Sequence, residues 1–528
     1  MQSICTFKRS PMMVFCSSVI IQKLVSIISF SRLRFPAKLT VLKAWIAFLL
    51  LTSCTSMTRF VFHGGELSER QFIRAHRQGP YVLIFALDGV GYGQMMEALQ
   101  STGGFRISAL FGAKQRDDVF EHAYAAPNAV SILPSTTIPA WSSIFTGVGP
   151  AYDGIPGNEW FVREQMRFLA PAPVSVHETD DVRRAISEDL VGQAIEVPTL
   201  FNLVNGPAYV SLNYVHRGAD LFTTNAPAEL AALTVEFKAG KLVDSDRMLQ
   251  QSYKELDLNS VPKVIDALRA HGVPTLQVVY FPGIDLYTHI ADNPLHDQVR
   301  YLENITFPSV ERALDEYRRQ DVLKDTYVIF VSDHGHTPVL MDTRHALATE
   351  PEKKALGLLR SLGFRVRPSH LEVADDQSDY QAVLAYQDAM AYVYLADRST
   401  CQKPGQKCDW RKPPRFEQDV MLVVRALSRV NQRGEGFPAL KDTLDLVFAR
   451  RPVPLAQDTH EYEIYDGNRL VPIYRYLKRH SRPDLIQFDR RMRWLSAGPY
   501  GHRAGDVLLL AKSGLKRPIS DRYYFSKP

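Results

Sequence analysis

Two patterns alternate along the chain: short unbroken apolar runs that stop at charged residues, and stretches with helical spacing between them. Tyr81 to Leu87 is one such run; it ends at Asp88-Gly-Val-Gly91, and a helical pattern begins at Gln94. Leu276 to Phe281 leads into Pro-Gly-Ile-Asp285, and Tyr327 to Val331 leads into Ser-Asp333-His334-Gly335. A run of this length between turn residues predicts a strand buried on both faces, as in a parallel sheet. Stretches such as Ser309 to Arg319 read as helices between the strands. The expected fold class is therefore α/β, with a largely parallel central sheet and helices on both faces. A charged residue at the carboxyl end of a buried strand occupies a site position in such a sheet.

Beyond about residue 368 the pattern changes to short strand-like pieces with basic and Pro-containing turns, until Asp506 to Ala511 reads again as a buried strand. The expected organisation is a leader over 1–54, a polar linker over 55–78, a catalytic core over 79–367, an insertion or cap over 368–495 and a return to the core over 496–528.

The leader carries basic residues up to Lys43 and then the uncharged, mostly apolar run Ala44 to Ser53 before Cys54. That run is too short to span a bilayer and has the layout of an export signal. Leu51-Thr52-Ser53-Cys54 resembles a bacterial lipobox, which implies lipid attachment at Cys54 and an exported, membrane-anchored lipoprotein facing the periplasm or cell surface. A buried helix, or a spanning anchor beginning near Val14, is the alternative. The stretch from Met1 to Lys43 is long for such a signal, so translation is expected to start downstream of Met1.

Composition narrows the function classes. With 528 residues, 45% hydrophobic and 23% charged, the chain is globular in character and a disordered protein is excluded. Lys and Arg number 62 against 57 Asp and Glu, but seven of the basic residues lie in the leader, leaving 55 against 57. No nucleic-acid binding surface is expected from that balance. Of the five cysteines, Cys5 and Cys16 fall in the leader and Cys54 is the lipidation candidate. Cys401 and Cys408 flank a turn-rich stretch, where a pair closing a short loop in an oxidising compartment is expected to form a disulfide; two free thiols are the alternative.

Acids and imidazoles that suit metal binding fall at Asp88, Asp285-x-x-x-His289, Asp333-His334 and His502. Three Asp and three His are a sensible complement for two divalent cations, and mixed carboxylate and imidazole donors suit zinc, with manganese or iron open on ligand type. His460 is the alternative to His502, which is preferred because a buried strand follows it. His336 reads as a pocket-lining acid or as an ordinary loop or supporting histidine. Thr137, in Pro134-Ser-Thr-Thr-Ile-Pro139, stands just before a predicted helix. It is either a helix cap or a hydroxyl nucleophile activated by a cation, with free N–H groups beside it for phosphate oxygens. Trp160 and Phe161 read either as core residues or as rings that stack on a base.

The order Asp88, Thr137, Asp285-x-x-x-His289, Asp333-His334-Gly335, His502, with Thr146-Gly-Val-Gly-Pro-Ala-Tyr-Asp-Gly-Ile-Pro-Gly-Asn158 after the Thr, resembles the alkaline phosphatase superfamily in its nucleotide pyrophosphatase/phosphodiesterase branch. The resemblance implies an alkaline-phosphatase-like fold and a metal-dependent hydrolase of phosphodiester or pyrophosphate bonds, acting on a phosphoester small molecule such as a nucleotide or a lipid headgroup. It further implies that Asp285, His289 and His502 hold one zinc and that Asp88, Asp333 and His334 hold the other. Thr137 is then the nucleophile of a phospho-threonine intermediate, with Asn158 and the Thr137 N–H holding the oxyanion. Ala140, Trp141 and Asp153 depart from the branch's pattern at positions that hold no metal, which bears on substrate choice. A sulfatase is disfavoured because Thr137-Ile-Pro-Ala-Trp141 offers no Cys or Ser to oxidise and no Arg. A phosphomonoesterase, a phospho-headgroup transferase or a non-catalytic surface-binding lipoprotein are the alternatives.

Overall fold

Five parallel strands form the first sheet of the computed structural model, which describes residues 79–526 except 117, 173–187, 225–245 and 369–373. The leader, the linker and Cys54 lie outside the described residues. The strands are β1 (Tyr81–Leu87), β2 (Ala208–Ser211), β3 (Leu221–Thr223), β4 (Leu276–Phe281) and β5 (Thr326–Ser332), in the order β3-β2-β4-β1-β5. Every neighbouring pair is parallel. The helices that pack on this sheet include α1 (Tyr92–Gln100), α2 (Thr137–Thr146), α3 (Asp246–His271), α4 (Gly283–His289) and α5 (Phe307–Arg319).

Side chains alternate across a strand, and β1 shows the consequence. Leu83, Phe85 and Leu87 enter a core with Ala98 of α1, Val261 and Leu268 of α3, and Leu314 of α5. Ile84 and Ala86 enter the opposite core with Ile138, Trp141 and Phe145 of α2. Both faces of the central strand are therefore covered, as its unbroken apolar run requires. Phe85 is fully buried and stacks 5.2 Å from Phe330 of the neighbouring strand; truncating such a ring costs about 3–5 kcal/mol.

A second sheet is antiparallel throughout. Its strands are β6 (Ala382–Gln387), β7 (Met390–Leu395), β8 (Leu444–Ala449), β9 (Glu463–Tyr465), β10 (Leu470–Pro472) and β11 (Val507–Ala511), in the order β6-β7-β11-β8-β9-β10. One face packs on α6 (Met421–Arg433), the other on α7 (Ile473–Arg479) and α8 (Phe488–Ser496). Residues 368–495, expected as an insertion or cap, supply five of the six strands of this sheet, and β11, expected to return to the parallel core, lies between β7 and β8 of the second sheet. The misreading has a physical cause. A strand covered on both faces is an unbroken apolar run whichever sheet it joins, and Leu508 and Leu509 enter opposite cores.

The ribbon of Trp160–Val162 and Arg167–Leu169 links the two halves. Trp160 enters the core under the parallel sheet and Phe161 the core of the second sheet, both fully buried. Core packing thus replaces the base-stacking alternative for these two rings. Cys401 and Cys408 form a disulfide buried in the same core as Phe161 and Trp410. No helix among the described residues is long and apolar enough to cross a membrane.

Candidate active site

Strand register brings the acids together. β4, β1 and β5 are adjacent and parallel, with Leu87 paired to Phe281 on one side and to Ser332 on the other. The next residues along each chain, Asp88 and Asp333, leave the same sheet edge side by side, and α4 begins just beyond β4 and carries Asp285 and His289 one turn apart. Gly89, at φ +66°, makes the tight exit from β1 possible, and a Cβ there would collide with Asp285 Oδ1 and lie 2.7 Å from His336 Nε2. This glycine therefore permits both the turn and the close approach.

Two groups of donors result. Asp88, Asp333 and His334 form one, and Asp285, His289 and His336 form the other, with ligand atoms in each group within 4.8 Å of one another. His334 Nε2 lies 3.6 Å from Asp88 Oδ1 and 3.4 Å from Asp333 Oδ2. In the second group, His336 Nε2 is 2.8 Å from Asp285 Oδ1 and His289 Nε2 is 3.3 Å from Asp285 Oδ2. The His334 and His336 rings are 6.2 Å apart, so the groups share one site.

The expected ligand His502 is not brought there. It sits in a 3-10 turn over Gly501–Ala504, 8% exposed, with Nε2 2.6 Å from Glu164 Oε1. That pairing holds Glu164 down at about 2 against its own burial. His336 stands in the place expected for His502, because the segment after Asp333-His334 leaves β5 without secondary structure and folds its second imidazole onto α4. The alternative His460 is likewise absent from both groups.

Thr137 is the first residue of α2, one position further into the helix than expected, and is half-buried. Its Oγ1 lies 3.3 Å from His334 Nε2. The opening N–H groups of a helix have no acceptor within it; that of Ile138 donates to Asn158 Oδ1 at 2.9 Å. Asn158 is 8% exposed and turns its oxygen to the helix, so its Nδ2 amide is the end left to donate. Gln387, at the end of β6, accepts the Asn158 N–H at 2.7 Å and thereby fixes that side chain's backbone. The next residue, Asp388, is raised above the usual carboxylate range by burial and interacts electrostatically with His289 and His334, which oppose that rise.

The electrostatics fit a cation site. Burial drives the Asp88 carboxyl well above its usual range, and repulsion from Asp333 and Asp285 adds to it. Burial also raises Asp333. Asp285 is the counter-case: burial opposes its charge, but His289 and His336 hold it well below the usual range. In return Asp285 lifts His289, whose side chain is half-exposed, to about 9 against a desolvation that lowers it. Asp88 Oδ1 and Asp333 Oδ2 are buried without a hydrogen-bond partner. Buried anionic oxygens facing one another without donors are the arrangement a divalent cation relieves, and three mixed donors per group leave room for substrate. Tyr280, unnoticed in the sequence because it reads as one more apolar strand residue, donates its hydroxyl to Asp88 Oδ2.

A family model described as type I phosphodiesterase / nucleotide pyrophosphatase matches residues 82–411. The matched span contains Asp88, Thr137, Asn158, Asp285, His289, Asp333, His334 and His336 and excludes His502. Among solved structures, murine ectonucleotide pyrophosphatase/phosphodiesterase 5 is 11% identical, with 85% of this chain and 80% of that chain covered at a TM-score of 0.42. An inactive form of the same murine protein in complex with AMP is 12% identical over 85% and 83%, also at 0.42. Phosphonoacetate hydrolase from Sinorhizobium meliloti 1021, in complex with phosphonoformate, is 14% identical over 87% and 85% at 0.40. The search of curated proteins finds no match.

Proposed function

The chain belongs to the type I phosphodiesterase / nucleotide pyrophosphatase family, and from that premise we propose that Thr137 is the nucleophile in hydrolysis of a phosphodiester or pyrophosphate bond. It is a type I phosphodiesterase-like hydrolase. The observation that carries the finer reading is the Thr137 hydroxyl, at a helix N-terminus, 3.3 Å from an imidazole of one acid–imidazole group with a second such group beside it.

Asp88, Asp333 and His334 would hold one divalent cation and Asp285, His289 and His336 a second, with zinc the best fit to mixed carboxylate and imidazole donors. Such cations supply Lewis acidity to the phosphoryl oxygens and lower the pKa of a neighbouring hydroxyl. The chain's own residues supply the rest. Thr137 Oγ1 attacks phosphorus and displaces the leaving oxygen; its proton goes to solvent, and the phosphoryl group stays on Thr137. Water then cleaves that ester and restores the hydroxyl. The Asn158 amide and the Thr137 N–H hold a non-bridging oxygen, in the manner of an oxyanion hole.

The substrate is a small phosphoester, with nucleotides and lipid headgroups the first classes to screen. The leader's basic-then-apolar order ending at Cys54 supports export and lipid anchoring. Hydrolysis of bis-p-nitrophenyl phosphate beside p-nitrophenyl phosphate, with and without chelator, tests the proposal. Chelator-sensitive preference for the diester, with two ions per chain, is the expected result. Preference for the monoester moves the reading to a phosphomonoesterase with the same site.

A further inference from the structure

The layer of α7 and α8 has two chemically opposite faces. Inward, Ile473 of α7 and Phe488, Met492 and Leu495 of α8 are buried against the second sheet beside Phe448 and Leu508. Because both helices cover the same sheet face, their other sides look out together. There Tyr474 is 46% exposed, Ile486 54% and Trp494 41%.

Cations lie against the two aromatic rings. Arg475 Cζ and Lys478 Nζ lie 5.6 Å and 5.9 Å from the Tyr474 ring centroid, and Arg490 Cζ lies 5.0 Å from that of Trp494. Arg493 is tied to Glu461 at 2.6 Å, whereas no carboxylate bridges Arg475, Lys478, Arg479 or Arg490 among the described residues. From Arg469 to Trp494 the sequence carries eight Lys and Arg against two Asp, although residues 55–528 as a whole hold 55 basic and 57 acidic residues. The excess is therefore local, on a chain that is otherwise slightly acidic.

We infer that this face docks on the surface of an anionic lipid bilayer. Cations alone suit any polyanion, but exposed Ile486 and Trp494 among them suit an interface with an apolar phase beneath its negative charges, which a bilayer has and a nucleic acid backbone lacks. One side chain joins this face to the candidate active site: Arg491 of α8 turns inward and donates to Ile132 O and Ser135 Oγ, each at 3.0 Å, in the segment that leads into Thr137. The inference goes beyond the hydrolase reading and stands or falls separately from it.

The test is co-sedimentation of the full chain with vesicles of phosphatidylcholine alone or mixed equally with phosphatidylglycerol, together with quenching of tryptophan by brominated lipid. Binding to the anionic vesicles is expected to be at least about tenfold tighter than to neutral ones and to weaken in high salt. The triple variant Arg475→Glu, Lys478→Glu, Arg490→Glu should lower that preference to what the basic leader alone supplies, while keeping its circular dichroism and metal content. Brominated lipid should quench wild type more than Trp494→Phe, since Trp45 of the leader contributes equally to both. Equal binding to both vesicle types, an undiminished preference in the folded triple variant, or equal quenching of wild type and Trp494→Phe would overturn the inference. Retention on polyuridylate without any preference for anionic vesicles would also overturn it, in favour of a nucleic-acid surface.

Discussion

Replacing His336 with alanine removes one of three donors from the group with Asp285 and His289 and leaves Asp88, Asp333 and His334 untouched. The imidazole is 2.8 Å from Asp285 Oδ1, and its ring is 4.8 Å from that of His289. Loss of a hydrogen-bond partner behind a metal ligand weakens affinity about 10- to 100-fold. Loss of a donor itself should therefore weaken the second site by at least about 100-fold, or about 2.7 kcal/mol. His502→Ala is the matched control, since His502 pairs with Glu164 and belongs to neither group. Competition against a chromophoric chelator, with metal content measured after dialysis, reads both variants. The His336 variant should keep one ion where wild type and the His502 variant keep two. Wild-type stoichiometry and affinity in His336→Ala, or an ion lost from His502→Ala, would refute the assignment.

Tyr280→Phe removes the hydroxyl that donates to Asp88 Oδ2, so affinity at the first site should fall about 10- to 100-fold with the fold intact; an unchanged metal titration would show that the contact contributes nothing. Asp153 is fully buried, and burial lifts its carboxyl from 3.8 to about 7. Because the folded value is the raised one, its stabilising contribution is complete below about pH 4 and is lost as pH rises through about 7, a loss of at most about 4 kcal/mol. The urea midpoint of wild type should thus fall between pH 5 and pH 8 relative to Asp153→Asn, and parallel profiles would count against it. Cys54→Ser should move the protein from the membrane fraction to the soluble fraction if Cys54 carries a lipid, and retention on membranes would argue for the upstream apolar segment instead.

Much of the parallel half was legible because its strands are apolar and end in charge, although only inner strands such as β4 are buried on both faces and the edge strand β5 leaves Tyr327 and Ile329 exposed. Tyr81 to Leu87, Leu276 to Phe281 and Tyr327 to Val331 each read as strands, and their ends deliver Asp88, Asp285 and Asp333 to one edge. Spacing within one element was equally readable, as for Asp285 and His289 one turn apart on α4. The second sheet was harder, since a central antiparallel strand such as β11 carries the same apolar run as a parallel one. The apolar run of β11 directly after His502 gave that histidine the look of a strand-end ligand, whereas in the structure it pairs with Glu164. The signal for His336 was present in Asp-His-Gly-His, but an irregular segment gives no periodicity from which to infer that its second imidazole folds back onto α4. Tyr280, Gln387 and Asp388 act through contacts between distant segments, and no local pattern marks them.

The most direct measurement is chemical quench of the enzyme within the first turnover of bis-p-nitrophenyl phosphate, followed by mass spectrometry of the peptide containing Thr137. One equivalent of p-nitrophenol should be released while the p-nitrophenyl phosphoryl group is attached to Thr137, and water should then release p-nitrophenyl phosphate. Thr137→Ala should bind metal normally, show no adduct and lose more than about 10³-fold in turnover. An unmodified Thr137 peptide during steady turnover, or activity of the alanine variant within tenfold of wild type, would contradict the role assigned to this hydroxyl.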